Sequence, residues 1–383
     1  MKFLFCSRNP FDRRLGAPKV LLELGTELEG EGSACKFLNA SDLGVADLSG
    51  WTGRAEFSRR LAEYLDAHAD SFDVIEVDHE DLPFPRSRFS RRPLIVARSV
   101  LLVHHLESIR IPTPGTLRSL VGAVLKGRSR RKMQDLRIES AIRTIREADL
   151  VNVCNFHDRD ELVRRGIPAS KILVLPFGLN SQRRAQFESL PVAVPTGEPV
   201  VGFVGTFDFR KGAREFPHIV RQVAAAVPNV RFRLFGTAGL FPTEHAVLSY
   251  FPRSVRDRVE VHARFDPDRL PSMLGGISVG LFPSYIEGFG FGVLEMLAAA
   301  IPVAAYDAPG APMMLPPDWL VKRGDAGGIA DRLVGWLSQG PGLESTRRQA
   351  RACSEAFAWD RIARQTLEAY QAAMSRNSRE LTR

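Results

Sequence analysis

Glu287 and Glu295 bracket a glycine-aromatic run, Glu287-Gly-Phe-Gly-Phe-Gly-Val-Leu-Glu295. Three glycines at alternate positions allow a backbone to approach a ligand closely. The run follows Ile277-Ser-Val-Gly-Leu-Phe-Pro283, which reads as a buried strand ended by proline. It precedes Leu294, Leu297, Ala298 and Ile301, whose spacing predicts the apolar face of a short helix. The amides that open such a helix have no intrahelical partner and favour negative charge. Two carboxylates at the edges would repel that anion, so they suit hydroxyl donors instead. An anion between two sets of hydroxyls describes a nucleotide sugar.

A second loop, Val204-Gly-Thr-Phe-Asp-Phe-Arg-Lys-Gly212, leaves the strand predicted over Val200–Val204. Gly205 suits a tight strand exit, and Arg210 and Lys211 offer cations near the carboxyl edge of the sheet. Taken alone, an Arg-Lys pair is a common surface turn. Beside the glycine-rich run it could stabilise a departing diphosphate, whose charge grows in the transition state. The spacing Gly288, Gly290, Gly292 superficially resembles a dinucleotide fingerprint. Val293 stands at its third glycine position, and the loop comes late in its unit, so a nicotinamide dehydrogenase is disfavoured.

The elements that must position these loops follow from periodicity. Lys2–Cys6, Phe72-Asp-Val-Ile-Glu-Val77, Pro93-Leu-Ile-Val-Ala97, Asp149-Leu-Val-Asn-Val-Cys154 and Lys171-Ile-Leu-Val-Leu-Pro176 read as strands. Helical patterns at 20–28, 57–68 and 138–147 fall between them, the signature of a parallel sheet covered on both faces. Leu190-Pro-Val-Ala-Val-Pro-Thr-Gly-Glu-Pro199 breaks the pattern and reads as a linker. A second series follows, with strands at 200–204, 230–235, 259–262, 277–282 and 302–305, and helices at 213–226, 243–250 and 267–274. At 383 residues, two doubly wound α/β units are expected rather than one core.

The pairing of Gly205-Thr206 and Arg210-Lys211-Gly212 with the Glu287–Glu295 run resembles the retaining GT-B glycosyltransferases of family four. Leu281-Phe-Pro-Ser284, Ala300-Ile-Pro-Val303, Phe235-Gly-Thr-Ala-Gly239 and Phe357-Ala-Trp359-Asp360 match the same pattern. Ala97-Arg-Ser99, Arg146-Glu-Ala-Asp149 and Val174-Leu-Pro-Phe-Gly178 are similar to weaker family signals. The resemblance implies an α/β GT-B fold, two Rossmann-like domains facing a central cleft. Domain one would span 1–188 and take the acceptor; domain two would span 189–359 and bind the donor; a C-terminal helix, 360–383, would cross back to the first. It also implies roles. Glu287 would bind hydroxyls of the donor sugar and Glu295 those of the ribose. Backbone amides of Gly290, Phe291, Gly292 and Val293 would hold sugar and diphosphate, and Lys211 would contact the diphosphate. Thr206 stands where relatives often carry a phosphate-binding arginine, a place Arg210 could fill. Gly16-Ala17 replaces the paired glycines of many relatives in the acceptor-side loop. His104 and His105 are the candidates for a histidine that relatives place near the reacting sugar, although a structural role for such a pair is as good a reading.

The expected function is therefore metal-independent, retaining transfer from a nucleotide-diphosphate sugar to a glycan or lipid-linked acceptor, with no cofactor beyond that co-substrate. A sugar-nucleotide epimerase and a catalytically silent sugar- or nucleic-acid-binding protein are the alternatives; the intact carboxylate pair argues against the silent one. The net charge is +8, concentrated over residues 86–146, where 15 Lys and Arg face 3 Asp and Glu. A stripe of Leu117, Leu120, Val121, Val124 and Leu125, followed by Lys126, Arg128, Arg130, Arg131 and Lys132, suits either a helix's core face or peripheral contact with an anionic membrane. Nucleic acid is the weaker reading of the charge. Met1-Lys-Phe-Leu-Phe-Cys6 reads as a strand rather than a leader. Four dispersed cysteines suggest neither disulfides nor zinc and fit a cytoplasmic protein, if one able to sit at the inner face of a membrane.

Overall fold

The structure, a computed structural model, describes residues 1–12, 16–109 and 120–381, with side chains at 108, 120–130 and 377–381 outside that description. In the stripe discussed above, Leu117 and the side chains from Leu120 to Arg130 lie outside that description. The chain falls into two compact units. Of the described residues, the first is built from those up to Ser108, those from 120 to Phe177 and those from Trp359 on; the second is Gly178–Ala358.

Six parallel strands form the first sheet: β1 (Lys2–Ser7), β2 (Ala34–Asn39), β3 (Val74–Asp78), β4 (Leu94–Arg98), β5 (Leu150–Val153) and β6 (Ile172–Val174). Their order is β2-β1-β3-β4-β5-β6. Runs such as Leu94–Arg98 are buried along their whole length, as a parallel sheet covered on both faces requires. β2 has no counterpart in the sequence reading. Ala-Cys-Lys-Phe-Leu-Asn alternates exposed and covered positions at the sheet edge and lacks the continuous apolar run of the central strands.

The second sheet contains β7 (Val200–Val204), β8 (Arg231–Phe235), β9 (Val259–His262), β10 (Val279–Phe282), β11 (Val303–Tyr306) and β12 (Leu320–Val321). All its pairings are parallel, in the order β12-β11-β10-β7-β8-β9. The direction of winding reverses between β7 and β10, and in the first sheet between β1 and β3. Open sheets of this kind leave a crevice at the reversal, beyond the carboxyl ends of the strands.

The units divide between Phe177 and Gly178, earlier than the expected break at 188. Helix Ser181–Glu188 explains the difference, because it packs on helix Phe291–Ala298 of the second unit. Arg351 donates to Phe187 O, Glu188 O and Leu190 O, closing the carbonyl end of that helix with a side chain. The last helix, Trp359–Leu381, packs on helix Gly16–Gly30 of the first unit. Tyr370 on it donates to Glu76 at 2.7 Å and accepts from Asn152 at 3.1 Å, while Arg98 pairs with Glu76 in the same buried group. Ile301, read as part of the helix after β10, lies beyond its end at Ala298.

Candidate functional site

Both loops singled out by their chemistry leave the strands that flank the reversal in the second sheet. The loop after β7 is folded around Asp208. Its carboxylate accepts from Thr206 Oγ1 at 2.8 Å and from the Lys211 amide at 2.9 Å, and its carbonyl accepts from the Ala213 amide at 3.0 Å. Gly205 exits β7 at φ 151°, in the left-handed half of the map, and bonds to Phe235 O across the sheet at 2.9 Å. Gly212 shows why glycine ends the loop: a Cβ there would sit 2.2 Å from Pro283 O, on the neighbouring loop.

That neighbouring loop follows β10. Gly290, at φ 95° and ψ 58°, turns the chain into helix Phe291–Ala298. The helix docks its first turn against the end of β7, since a Cβ on Gly292 would lie 2.2 Å from Val204 O. Its amino end is thereby brought beside the Lys211 loop, with the amides of Val293 and Leu294 bonded back to Gly290 O at 2.9 and 3.3 Å.

The two loops meet through charge. Lys211 Nζ lies 2.5 Å from Glu287 Oε1, with the two side chains 13% and 8% exposed. Ser284 donates to the same oxygen at 2.5 Å, and Lys211 also sits 5.1 Å above the Phe282 ring. The Glu287 amide donates to Pro309 O at 3.1 Å, which fixes the backbone from which the carboxylate projects. Arg210 is held less firmly, its guanidinium 3.9 Å from Asp208 and about a third exposed. Its carbonyl accepts the Tyr285 amide at 2.8 Å, tying this loop to the one after β10. Thr206, counted among the donor-binding residues, donates its hydroxyl to Asp208 within the loop.

Glu295 occupies the second turn of the same helix and is buried. Arg183 Nη2 stands 3.4 Å from its Oε1. Arg183 stacks over Phe187 at 5.2 Å, and its other terminal nitrogen is buried without a hydrogen-bond partner. Asn180 caps the helix that carries it, accepting from the Arg183 amide at 2.8 Å. Arg183, Ser284 and Asp208 were not assigned to the site from sequence. Asp208 and Ser284 stand inside motifs that were recognised, whereas Arg183 lies about a hundred residues from its partner and carried no signal of its own.

Residues 198–339 match the family described as Glycosyl transferases group 1. That match lies wholly within the second unit. The whole chain has the GT-B fold: it superposes on a sucrose-phosphate synthase from Thermosynechococcus elongatus with a TM-score of 0.73 at 19% identity, covering 98% of this chain and 99% of that one. Anabaena HepE in complex with UDP and glucose superposes with a TM-score of 0.65 at 18% identity, covering 97% and 100%. In sequence, the D-inositol 3-phosphate glycosyltransferase of Mycobacterium avium is 30% identical over 199 residues, which is 50% of this chain and 46% of the relative. The chain spans about half the length of the curated relatives it matches. All the residues read as donor-binding, from Gly205 to Glu295, fall inside the matched stretch.

The candidates outside that stretch are placed differently. His104 is fully buried, and neither ring nitrogen has a partner. Burial, with His79, Arg165 and His105 nearby, pushes it down to about 3, so it is a neutral imidazole at physiological pH. His105 bonds Asp158 through Nε2 at 2.7 Å and is buried too. Neither ring lies at the surface in this conformation. Gly16 is exposed and opens helix Gly16–Gly30, and a Cβ there would meet nothing within 4 Å. Packing against the described residues therefore does not require glycine at 16. Among the described residues, no helix is long and apolar enough to cross a membrane.

Proposed function

We propose that the protein transfers a sugar, with retention of anomeric configuration, from a nucleotide-diphosphate sugar to a glycan or lipid-linked acceptor. The observation that carries this reading is the Lys211–Glu287 contact at 2.5 Å, set before the amino end of helix Phe291–Ala298, whose second turn carries Glu295. Lys211 and the helix terminus would then serve the diphosphate, with Glu287 for the sugar on one side of it and Glu295 for the ribose on the other. Solved relatives of the same fold hold UDP or UDP-glucose, which supports a donor of that class.

On donor binding, Lys211 turns from Glu287 toward the diphosphate and Glu287 accepts from hydroxyls of the sugar. Each charge-assisted hydrogen bond is worth on the order of 1.5–3 kcal/mol. As the bond between C1 and the diphosphate oxygen breaks, Lys211, Arg210 and the helix dipole take up the charge that develops there. The acceptor oxygen bonds to C1 on the same face, and its proton passes to the leaving diphosphate. These cations supply the charge stabilisation without a metal ion, so a chelator should leave turnover unchanged.

The reaction would take place in the cytoplasm. A lipid-linked acceptor would bring the protein to an anionic membrane face, with the exposed Arg131 and Lys132 as contacts. Vesicle binding that survives Arg131→Glu with Lys132→Glu would remove that part of the reading.

The deciding experiment incubates the protein with a panel of nucleotide sugars. A transferase releases nucleoside diphosphate slowly by hydrolysis and faster with an acceptor; an epimerase changes the sugar without release; a binding protein does neither. Release that is unaffected by Glu287→Gln would overturn the proposal.

A further inference from the structure

The reversal in the first sheet, between β1 and β3, has its own cavity, distinct from the donor site. It is small, about 40 Å³, and is walled by Ser7 and Arg8 at the end of β1, Asp78 and Asp81 in the turn after β3, Arg98 at the end of β4, and Ala17. A void of that size takes more than one water, since a single water needs roughly 10–15 Å³ on the same measure. It is also right for the hydroxyl-bearing edge of a sugar ring, and too small for a whole ring.

Its walls are built for hydrogen bonding. Asp81 is 3% exposed at its side chain, and Arg8 Nε holds its Oδ1 at 2.7 Å. The other oxygen of Asp81 has no hydrogen-bond partner. Arg8 Nη2 is 3.8 Å from Asp78 and 3.8 Å from Glu80, beyond hydrogen-bonding distance of either. Guanidinium and carboxyl are thus locked to each other at one point, each with hydrogen-bonding capacity left over. Glu80 is committed elsewhere, to Arg137 at 2.7 and 2.8 Å. His79 accepts the Val103 amide at 3.3 Å, which leaves it as a strut under the turn.

We infer that Arg8 and Asp81 form a subsite for a vicinal diol of a neutral sugar or cyclitol, one hydroxyl meeting the Asp81 carboxyl and its neighbour accepting from Arg8. This rests on the transferase reading only in making the diol part of the acceptor. The guanidiniums of Arg8 and Arg98 are offset at the walls by Glu76 and Asp78, so the cavity offers no net positive charge to an anionic group. Burial, with Asp78 and Glu80 close by, outweighs Arg8 and pushes the Asp81 carboxyl up to about 8. A carboxyl that keeps its proton at neutral pH can donate as well as accept, which suits hydroxyls better than it suits an ammonium group.

The test is saturation-transfer NMR on the full chain carrying Glu287→Gln, which removes sugar binding at the donor site. The probes are the methyl α-glycosides of glucose, mannose, galactose and N-acetylglucosamine, together with myo-inositol. At least one should show saturation transfer that falls by about fivefold or more with Asp81→Ala, and equally with the probe's deoxy analogue in the unmodified Asp81 background. The analogue arm keeps the test independent of whether the variant folds. Signals from the glycosides identify a glycan end, and a signal from myo-inositol alone identifies a cyclitol. No signal from any probe, or a signal indifferent to both changes, overturns the inference. Titration of UDP, ADP, GDP and dTDP into the natural protein, with its donor site unaltered, keeps the two readings apart. A nucleotide that binds while every polyol fails sinks the subsite alone, and a polyol that binds while every nucleotide fails sinks the donor reading.

Discussion

Lys211 and Glu287, 76 positions apart in sequence, are ion-paired across two loops at 2.5 Å with little exposure to solvent. Each therefore holds the other's charge ready in a partly desolvated crevice, where charge interactions are stronger than in water. Removing one partner leaves the other buried and uncompensated, which costs more than the pair is worth. Lys211→Met should lower the unfolding free energy by a few kcal/mol, and adding Glu287→Gln should restore most of it. Turnover should fall by about 10²–10³-fold in the single variant and stay low in the double. Thermal unfolding and single-turnover assays on the three proteins check this; a double variant that unfolds earlier than the single would contradict it.

Arg183 stands in the same relation to Glu295, at 3.4 Å and with a buried nitrogen to spare. On the proposed reading, holding one carboxylate oxygen leaves the other for a ribose hydroxyl. Arg183→Gln should weaken nucleoside diphosphate binding by about 10- to 100-fold, the equivalent of one charge-assisted hydrogen bond. Calorimetric titration gives the number. The loss should shrink to little with a 2′,3′-dideoxy nucleotide, and an equal loss with both ligands would mean that Arg183 serves the fold instead.

The contrast between these two pairs shows what could be read in advance. Lys211 and Glu287 sit in dense local patterns, each a loop between an apolar strand and a helix, so type and spacing exposed them. Arg183 reaches Glu295 only because helix Ser181–Glu188 packs on helix Phe291–Ala298, and that packing is held by Arg351 from a third helix. Nothing local encodes such a meeting. The central strands were legible because burial on both faces demands continuous apolar runs, whereas the edge strand β2 needs only alternate cover. His104 and His105 drew notice as a chemical pair, and their burial was invisible because it depends on the turn at His79 and on Asp158 from a later helix.

Gly292 tests whether helix and strand must touch for the site to form. A methyl group there would sit 2.2 Å from Val204 O, a backbone atom that cannot rotate away. Gly292→Ala should force the helix off β7 at a cost of about 1–3 kcal/mol, typical of overpacking. That corresponds to a fall in Tm of roughly 2–12 °C for a unit of this size. Nucleotide binding should weaken in parallel, because the helix's amino end moves with its first turn. A variant with normal Tm and normal binding would show that the close approach is dispensable.

Asp81 makes a prediction about pH. Its carboxyl is raised to about 8 in the folded protein, against about 3.9 for an unfolded aspartate. Between those values the folded chain keeps a proton that the unfolded chain has lost, so this group favours folding most at low pH. Its contribution declines as pH climbs from about 4 and levels off once the folded carboxyl has ionised, near 8. Asp81→Asn cannot ionise and lacks this dependence. The denaturation midpoint of the natural protein should therefore fall relative to Asp81→Asn between pH 5 and pH 8, then run parallel to it up to pH 9. Urea titrations at these three values decide the matter. A constant gap from pH 5 to 8 would mean that Arg8 keeps the carboxylate ionised throughout, with the folded carboxyl at or below its unfolded value.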